Sequence, residues 1–273
     1  MSAVPVIVEG GDGLRIGRSA AVTTFVIDRP ATRNNLTLAL VDALGAAVRG
    51  LRGDAGLRAI VLRGAGGRAF SAGFDIGAIS RTAAVADDGS VDADRRLDAA
   101  FRALEEAPVP VIAAIEGHCI GGGFELALAC DLRIVTRDAR FRMPPAQLGW
   151  VYGLPNLARF VAAVGPGRAR QLFLAAEAIG ADTALDWGIA HEVVDDGEAL
   201  TARVAALAGR ISGLAPIALA GLKQGIGALA EAQVTPAALA GHADHRRRAF
   251  ASDDLAEGRA AFLERREPRF TGR

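Results

Sequence analysis

The sequence predicts an α/β fold, with a parallel sheet covered by helices in the first half of the chain and a helical second half. Three observations carry this. Apolar runs of strand length recur at 59–63, 109–115 and 132–136. Strands that are apolar on both faces belong to parallel sheets buried between helices. Segments with apolar residues at helical spacing separate these runs. Beyond Pro166 helical periodicity takes over, interrupted by one short strand at His191–Val194.

The 273 residues are 51% apolar, enough for a sizeable core. Lys+Arg and Asp+Glu are 31 each, so the net charge is +0. A neutral chain has no electrostatic footprint for nucleic acid or an anionic membrane, and neither is expected as a partner. With aromatics at 5%, the core must be built from Ala, Val, Leu and Ile.

Taken in order, Val4–Glu9 and the β-rich run Ala21–Asp28 read as a hairpin around the turn-forming GGDG at 10–13. Leu38–Arg52 places Leu40, Val41, Leu44, Val48 and Leu51 on one helical face and ends near Gly53. Ala59–Arg63 is a buried strand followed by the loop GAGGRAFSAGFD. The polar stretch 81–96 reads as a mobile loop, a solvated segment or a lid, before a helix over Leu97–Ala107. Val109–Ile115 is a strand, EGHCIGGG a loop, Phe124–Ala129 a helix and Leu132–Thr136 a strand. Further helices are predicted over 168–176, 181–187, 199–211, 214–229, 237–252 and 254–266, and Pro268 stops the last. Residues 1–200 form the core in this reading, and 201–273 a C-terminal helical region whose apolar surface needs cover.

Cys119 and Cys130 read as buried, reduced thiols. The N-terminus has no basic stretch followed by a long apolar run. A cytoplasmic location is expected. His118 and His191 stand alone, without partners at ligand spacing, so no metal is expected. His242 and His245, beside Arg246–Arg248, read as a solvated helix face.

The chemistry of parallel sheets lies where strands hand over to helix N-termini. Two glycine-containing loops qualify: Phe70–Ile76 and Gly121–Glu125. Loops from adjacent strands can aim two N–H groups at one oxygen, which suits an enolate next to a carbonyl. Glu125, on the first turn of the second helix, can reach the same pocket as acid or base. The glycines could equally serve close packing, and Glu125 could simply complement the helix dipole. Neither loop fits a dinucleotide fingerprint or a P-loop.

At this point the sequence resembles the crotonase superfamily, the enoyl-CoA hydratase/isomerase family. The resemblance rests on Asp28-Arg29-Pro30 with Arg33-Asn34, AFSAGFDI at 69–76, EGHCIGGGFELALACDLRI at 116–134, Ala184-Leu185 with Gly188-Ile189 and Val193–Asp195, and SDDLAEGRAAFLERREPRF at 252–270. It implies a spiral of ββα units with a C-terminal helical trimerisation region, assembled as a homotrimer or a dimer of trimers. It implies an acyl-CoA thioester as ligand, with coenzyme A part of the substrate and no separate cofactor. By the same resemblance, the N–H groups of Phe74 and Gly122 form the oxyanion hole and Glu125 is the acid/base. Arg33, Ala72, Asp75, Ile76 and Gly121 fall in segments that line CoA, and Phe262 and Arg265 match the C-terminal helix that can touch it.

Two departures stand out. Hydratases of this family carry a second glutamate after a Phe-x-x-Pro stretch; here Phe141–Pro144 is followed by Pro145, which argues against classical two-glutamate hydration. The next stretch, Leu148-Gly149-Trp150-Val151-Tyr152, resembles the methylmalonyl-CoA decarboxylase branch. There Tyr152 could hold a substrate carboxylate or donate a proton, or merely anchor a loop edge. Trp150 could line the acyl pocket or pack in the core. Three functions follow: an acyl-CoA enzyme working through a thioester enolate, a non-catalytic acyl-CoA binder, and an assembly protein using the C-terminal helices.

Overall fold

A computed structural model describes residues 6–9, 12–75, 92–148, 151–230, 244, 248, 252–264 and 266–273. Its larger sheet has seven strands in the order β1 (Val6–Glu9), β2 (Leu14–Ser19), β3 (Val22–Ile27), β4 (Ala59–Gly64), β6 (Val111–Ile115), β8 (Leu132–Thr136) and β11 (Glu192–Val194). The first three pair antiparallel and the rest parallel. A smaller sheet runs β10 (Ile179–Gly180), β9 (Arg140–Arg142), β7 (His118–Ile120) and β5 (Ala69–Ser71).

The central strands serve two cores. Ile60 and Leu62 of β4, with Val111, Ala113 and Ile115 of β6, join the main core. That core is covered by α1 (Leu38–Gly50) and α2 (Asp92–Glu105). The alternate residues Ala59, Val61, Ile112 and Ala114 meet Leu200, Val204, Ala208 and Ile211 of α6 (Gly197–Ser212) on the opposite face. This two-sided burial is why the strands read as continuous apolar runs. Two helices, α1 and α6, start on polar side-chain caps. Thr37 accepts from the Leu40 N–H, and Asp196 from that of Ala199. Asp131 accepts from the Val111 N–H at 2.7 Å and from Lys223 Nζ at 2.7 Å. Lys223 lies on α7 (Pro216–Ala230) and also donates to the carbonyls of Leu104 and Val109.

Several expectations are corrected. The hairpin partner of the first strand is β2, which pairs with it across 10–13 and then turns back into β3. Two intermediate residues alternate with each buried one in β2, a pattern too weak to read as a strand. The segment 81–96 is not wholly loop, because α2 begins at Asp92. Its first turn carries Asp92 and Asp94, acids that favour a helix N-terminus. Residues 81–91 of that stretch lie outside the described residues, as does most of the helix expected over 237–252. Helical structure begins not at Arg168 but at Leu154, with α4 (Leu154–Arg170). Gly165, at φ 75° and ψ 164°, breaks α4, and Pro166 starts its second segment. Gln171–Ala175 follows as a π turn. The remaining helices are α3 (Gly122–Leu128), α5 (Ala181–Asp186) and α8 (Asp253–Glu264). Among the described residues no single helix is long and apolar enough to cross a membrane.

Candidate active site

The smaller sheet builds the site. The glycine loops do not leave the large-sheet strands directly. Each passes first through a three-residue strand, β5 or β7, and these two pair parallel. Three-residue strands carry too little periodicity to show in the sequence.

The first loop is held by buried Asn34. Its Nδ2 donates to the carbonyls of Ala65 at 2.9 Å and Ala69 at 2.7 Å, and its Oδ1 accepts from the Arg29 N–H at 2.9 Å. Leu36 then pairs with the loop: its N–H donates to Gly73 O at 2.8 Å, and its carbonyl accepts from the Asp75 N–H at 2.9 Å. This alternation leaves the Phe74 N–H on the other side, with no acceptor among the described residues. Gly73 sits at φ +95°, where a side chain would also meet Ile120 O at 2.8 Å, so only glycine fits.

The second loop places Gly122 at the start of α3. A Cβ on Gly73 would lie 3.4 Å from Gly122 N, and one on Gly122 would lie 3.6 Å from Phe74 N. The two backbone nitrogens are therefore neighbours. Gly123 brings α3 onto β5: a Cβ there would meet the Ser71 carbonyl oxygen at 2.7 Å.

Glu125 lies one turn further along α3, only 1% exposed. Its Oε1 accepts from Asn156 Nδ2 at 2.7 Å and from Arg159 Nη1 at 2.6 Å. Arg159 also donates from Nε to Glu105 Oε1 at 2.5 Å and from Nη2 to Asp98 Oδ1 at 3.2 Å. Burial outweighs the Arg159 charge and these hydrogen bonds, and pushes the Glu125 carboxyl up to about 7. Phe124, tilted against Phe141 and edge-on to Phe160 at 5.1 Å each, anchors the helix that carries it.

Tyr152 packs edge-on against Phe173 at 5.5 Å. Its hydroxyl lies 4.0 Å from where a Gly121 Cβ would stand. Burial, then the charges of Glu125 and Asp94, push the phenol well above its ordinary value, so it stays a proton donor. Phe74, Gly121, Gly122, Glu125 and Tyr152 thus come together. Ala72 and exposed Arg33 are joined through the Ala72 N–H and Arg33 O at 2.9 Å, with Asp75 three residues on. Ile76, Trp150, Arg265, His242, His245 and the Phe262 side chain lie outside the described residues. Pro145 is buried in a 3₁₀ turn.

Sequence reading missed Asn156 and Arg159, three residues apart on one face of α4, and their partners Asp98 and Glu105 on one face of α2. For Asn156 and Arg159 the signal was helical spacing in a stretch not read as helix; Asp98 and Glu105 lie in the helix predicted over Leu97–Ala107, where nothing local marks them as partners of a residue on another helix. His118, His191 and Cys130 are not among the residues that build this site, whereas the Cys119 thiol donates to the Gly123 carbonyl at 3.5 Å. His118 and His191 are exposed, and His191 Nδ1 accepts from the Arg133 N–H at 3.0 Å. Cys119 and Cys130 are buried and unpaired with each other.

Two mixed sheets of this order, mostly parallel, with glycine loops meeting above the smaller one, define the crotonase-type α/β fold. The sequence profile described as enoyl-CoA hydratase/isomerase matches residues 17–273. A probable enoyl-CoA hydratase of Mycobacterium bovis is 36% identical over 260 residues, covering 94% of this chain and 98% of the relative. A carnitinyl-CoA dehydratase of Proteus mirabilis is 33% identical, covering 95% and 98%. The crystal structure of an enoyl-CoA hydratase/carnithine racemase from Magnetospirillum magneticum superimposes with a TM-score of 0.87 at 33% identity, covering 96% of each chain. The chain belongs to the enoyl-CoA hydratase/isomerase family.

Proposed function

We propose that this chain acts on an acyl-CoA thioester, holding the thioester oxygen between the Phe74 and Gly122 N–H groups and moving a proton with Glu125. The observation that carries this is the adjacency of those two nitrogens, with a single buried carboxyl one helical turn away. Developing enolate charge would fall on two preorganised donors. A carboxyl near 7 is matched to proton transfer at neutral pH in either direction. The relatives named as a hydratase and a dehydratase favour addition or loss of water over a double-bond shift. Arg33, Ala72, Asp75, Ile76, Gly121, Phe262 and Arg265 are proposed for CoA, which belongs to the substrate, with no separate cofactor. A homotrimer or dimer of trimers, and a cytoplasmic location, complete the reading.

The methylmalonyl-type decarboxylase reading fares worse. A substrate carboxylate at Tyr152 would meet the negative charges of Glu125 and Asp94, which already act on that phenol. Arg159, the guanidinium that meets Glu125 among the described residues, is shared among three carboxylates. The second reading retained is a non-catalytic acyl-CoA binder. It is favoured by buried Pro145, which by the family resemblance falls at the position of the second glutamate.

The test is product analysis by mass spectrometry on short and medium trans-2-enoyl-CoA, a 3-enoyl-CoA and methylmalonyl-CoA. A water adduct that falls by roughly 10²–10⁴-fold in Glu125→Gln, at unchanged CoA affinity, supports the enzyme. Tight binding with no product from any thioester supports the binder.

A further inference from the structure

The clasp around Glu125 carries a further assignment, resting on the acyl-thioester reading for its chemistry but not for its test. Both donors to Glu125 reach the same oxygen. Arg159 Nη1 and Asn156 Nδ2 occupy Oε1 at 2.6 and 2.7 Å, and no described residue donates to Oε2. Arg159 is itself fixed from the far side. Glu105 takes Nε and Nη2, Asp98 takes Nη2, and the guanidinium lies 5.6 Å from the centre of the Phe101 ring. The side chain is 9% exposed. Its direction is set by α2, an element that contributes nothing to the two N–H donors.

We propose that Arg159 is a positioning residue: with Asn156 it immobilises Glu125 by Oε1, so that Oε2 is the oxygen that exchanges a proton with the bound thioester. Asp98 and Glu105 serve the site by holding Arg159. The charged and titratable groups facing Glu125 are then Arg159 from α4, Asp98 and Glu105 from α2, Tyr152 from the segment before α4, and Asp94 behind Tyr152. The guanidinium favours the carboxylate form. The acids oppose it.

The experiment reads the carboxyl itself, in the full chain without ligand. Difference infrared spectra between the wild type and Glu125→Gln isolate the Glu125 bands, followed from pH 5 to 9. Arg159→Gln is expected to raise the midpoint by about one unit or more, a tenfold change in proton affinity. Asp98→Asn is expected to lower it, because a negative charge is removed. General loosening of the fold would not give opposite signs. Arg159→Lys keeps the charge and loses the fork. Its midpoint is expected to stay near the wild type, while kcat on an enoyl-CoA falls about tenfold or more at unchanged KM. If no variant turns over any thioester, the acyl-CoA enzyme reading has failed, and the infrared titration still decides the role of Arg159. If Arg159→Gln does not fold, Asp98→Asn and Arg159→Lys decide it. A midpoint that stays put in Arg159→Gln, or that moves upward in both Arg159→Gln and Asp98→Asn, overturns the proposal.

Discussion

Replacing Gly122 with alanine separates the fold from the site. The added methyl would lie 3.6 Å from Phe74 N, 3.7 Å from Leu36 Cδ1 and 3.9 Å from Phe74 Cβ. These are ordinary contacts, and Gly122 is not among the glycines at positive φ. Stability is therefore expected to change by no more than about 0.5 kcal/mol. The ligand is another matter. An oxygen accepting from both N–H groups must sit about 2.7–3.1 Å from each nitrogen. The methyl, about 2.5 Å from Gly122 N by bond geometry, crowds that space. Losing one such donor costs about 10²–10³-fold in turnover, or ~2.7–4 kcal/mol. The assay pairs kcat on an enoyl-CoA with Tm, and adds calorimetric binding of free CoA and of a saturated acyl-CoA. Free CoA, having no thioester oxygen, should bind as before, while the acyl-CoA weakens about tenfold or more. Full turnover, or unchanged acyl-CoA affinity, at unchanged Tm would refute the placement of the oxyanion hole.

Three further outcomes are expected. Gly123→Ala drives a methyl to 2.6–2.7 Å from Ser71 Cβ, carbonyl and hydroxyl, and should cost about 1–3 kcal/mol by denaturant unfolding. Asn34→Ala strands the Arg29 N–H and the carbonyls of Ala65 and Ala69; it should cost about 3 kcal/mol, and a change below ~1 kcal/mol would deny Asn34 its anchoring role. The third concerns pH. Glu125 binds its proton more tightly folded than unfolded, so its contribution is full below pH 4.5 and is lost, by about 3 kcal/mol, as pH rises to about 7. His191, exposed as a residue but with part of its ring covered, is pushed the other way, to about 4, by that partial burial and the nearby Arg133 charge, so its contribution is full above pH 6.5 and fades as pH falls. The two slopes oppose each other between pH 4.5 and 6.5. Glu125→Gln should expose a loss of stability toward acid, His191→Asn a loss toward neutrality, and parallel stability–pH curves for all three proteins would contradict both assignments.

The sequence was most legible where burial is two-sided. Runs such as Ala59–Arg63 and Leu132–Thr136 show their apolar character without reference to any partner. Glu125 was legible because the glycines before it and the helix after it are both local signals. The smaller sheet was not. β5, β7 and β9 are three residues each, and their pairing is settled by the loops around them. β2 escaped because Gly17 and Arg18 cut short the alternation begun by Leu14, Arg15 and Ile16; Arg15 pairs with Asp28. The Glu125 clasp could not be read from spacing alone, because Asp98, Glu105, Glu125 and Arg159 meet only in three dimensions. The first segment of α4 was masked by Gly153 and Pro155, which read as loop until Pro155 is seen to occupy the first turn, where it costs no hydrogen bond.

The two-sided burial of the large sheet also bears on how the chain avoids misalignment. In a strand with one wet face, slipping by a single residue exposes the whole apolar set, and water enforces the alignment. β6, with the sequence Val-Ile-Ala-Ala-Ile, lacks that safeguard, since both faces are apolar. A slip would exchange Val111, Ala113 and Ile115 for Ile112 and Ala114, and each layer would still be dry. The polar fixings at the strand's entrance distinguish the correct alignment. Asp131 grips the Val111 N–H, and Lys223 clamps Asp131 together with the carbonyls of Leu104 and Val109. A C-terminal helix thereby proofreads the threading of a strand more than a hundred residues earlier, and the β6–β7 connection that delivers Gly122 and Glu125 inherits its alignment.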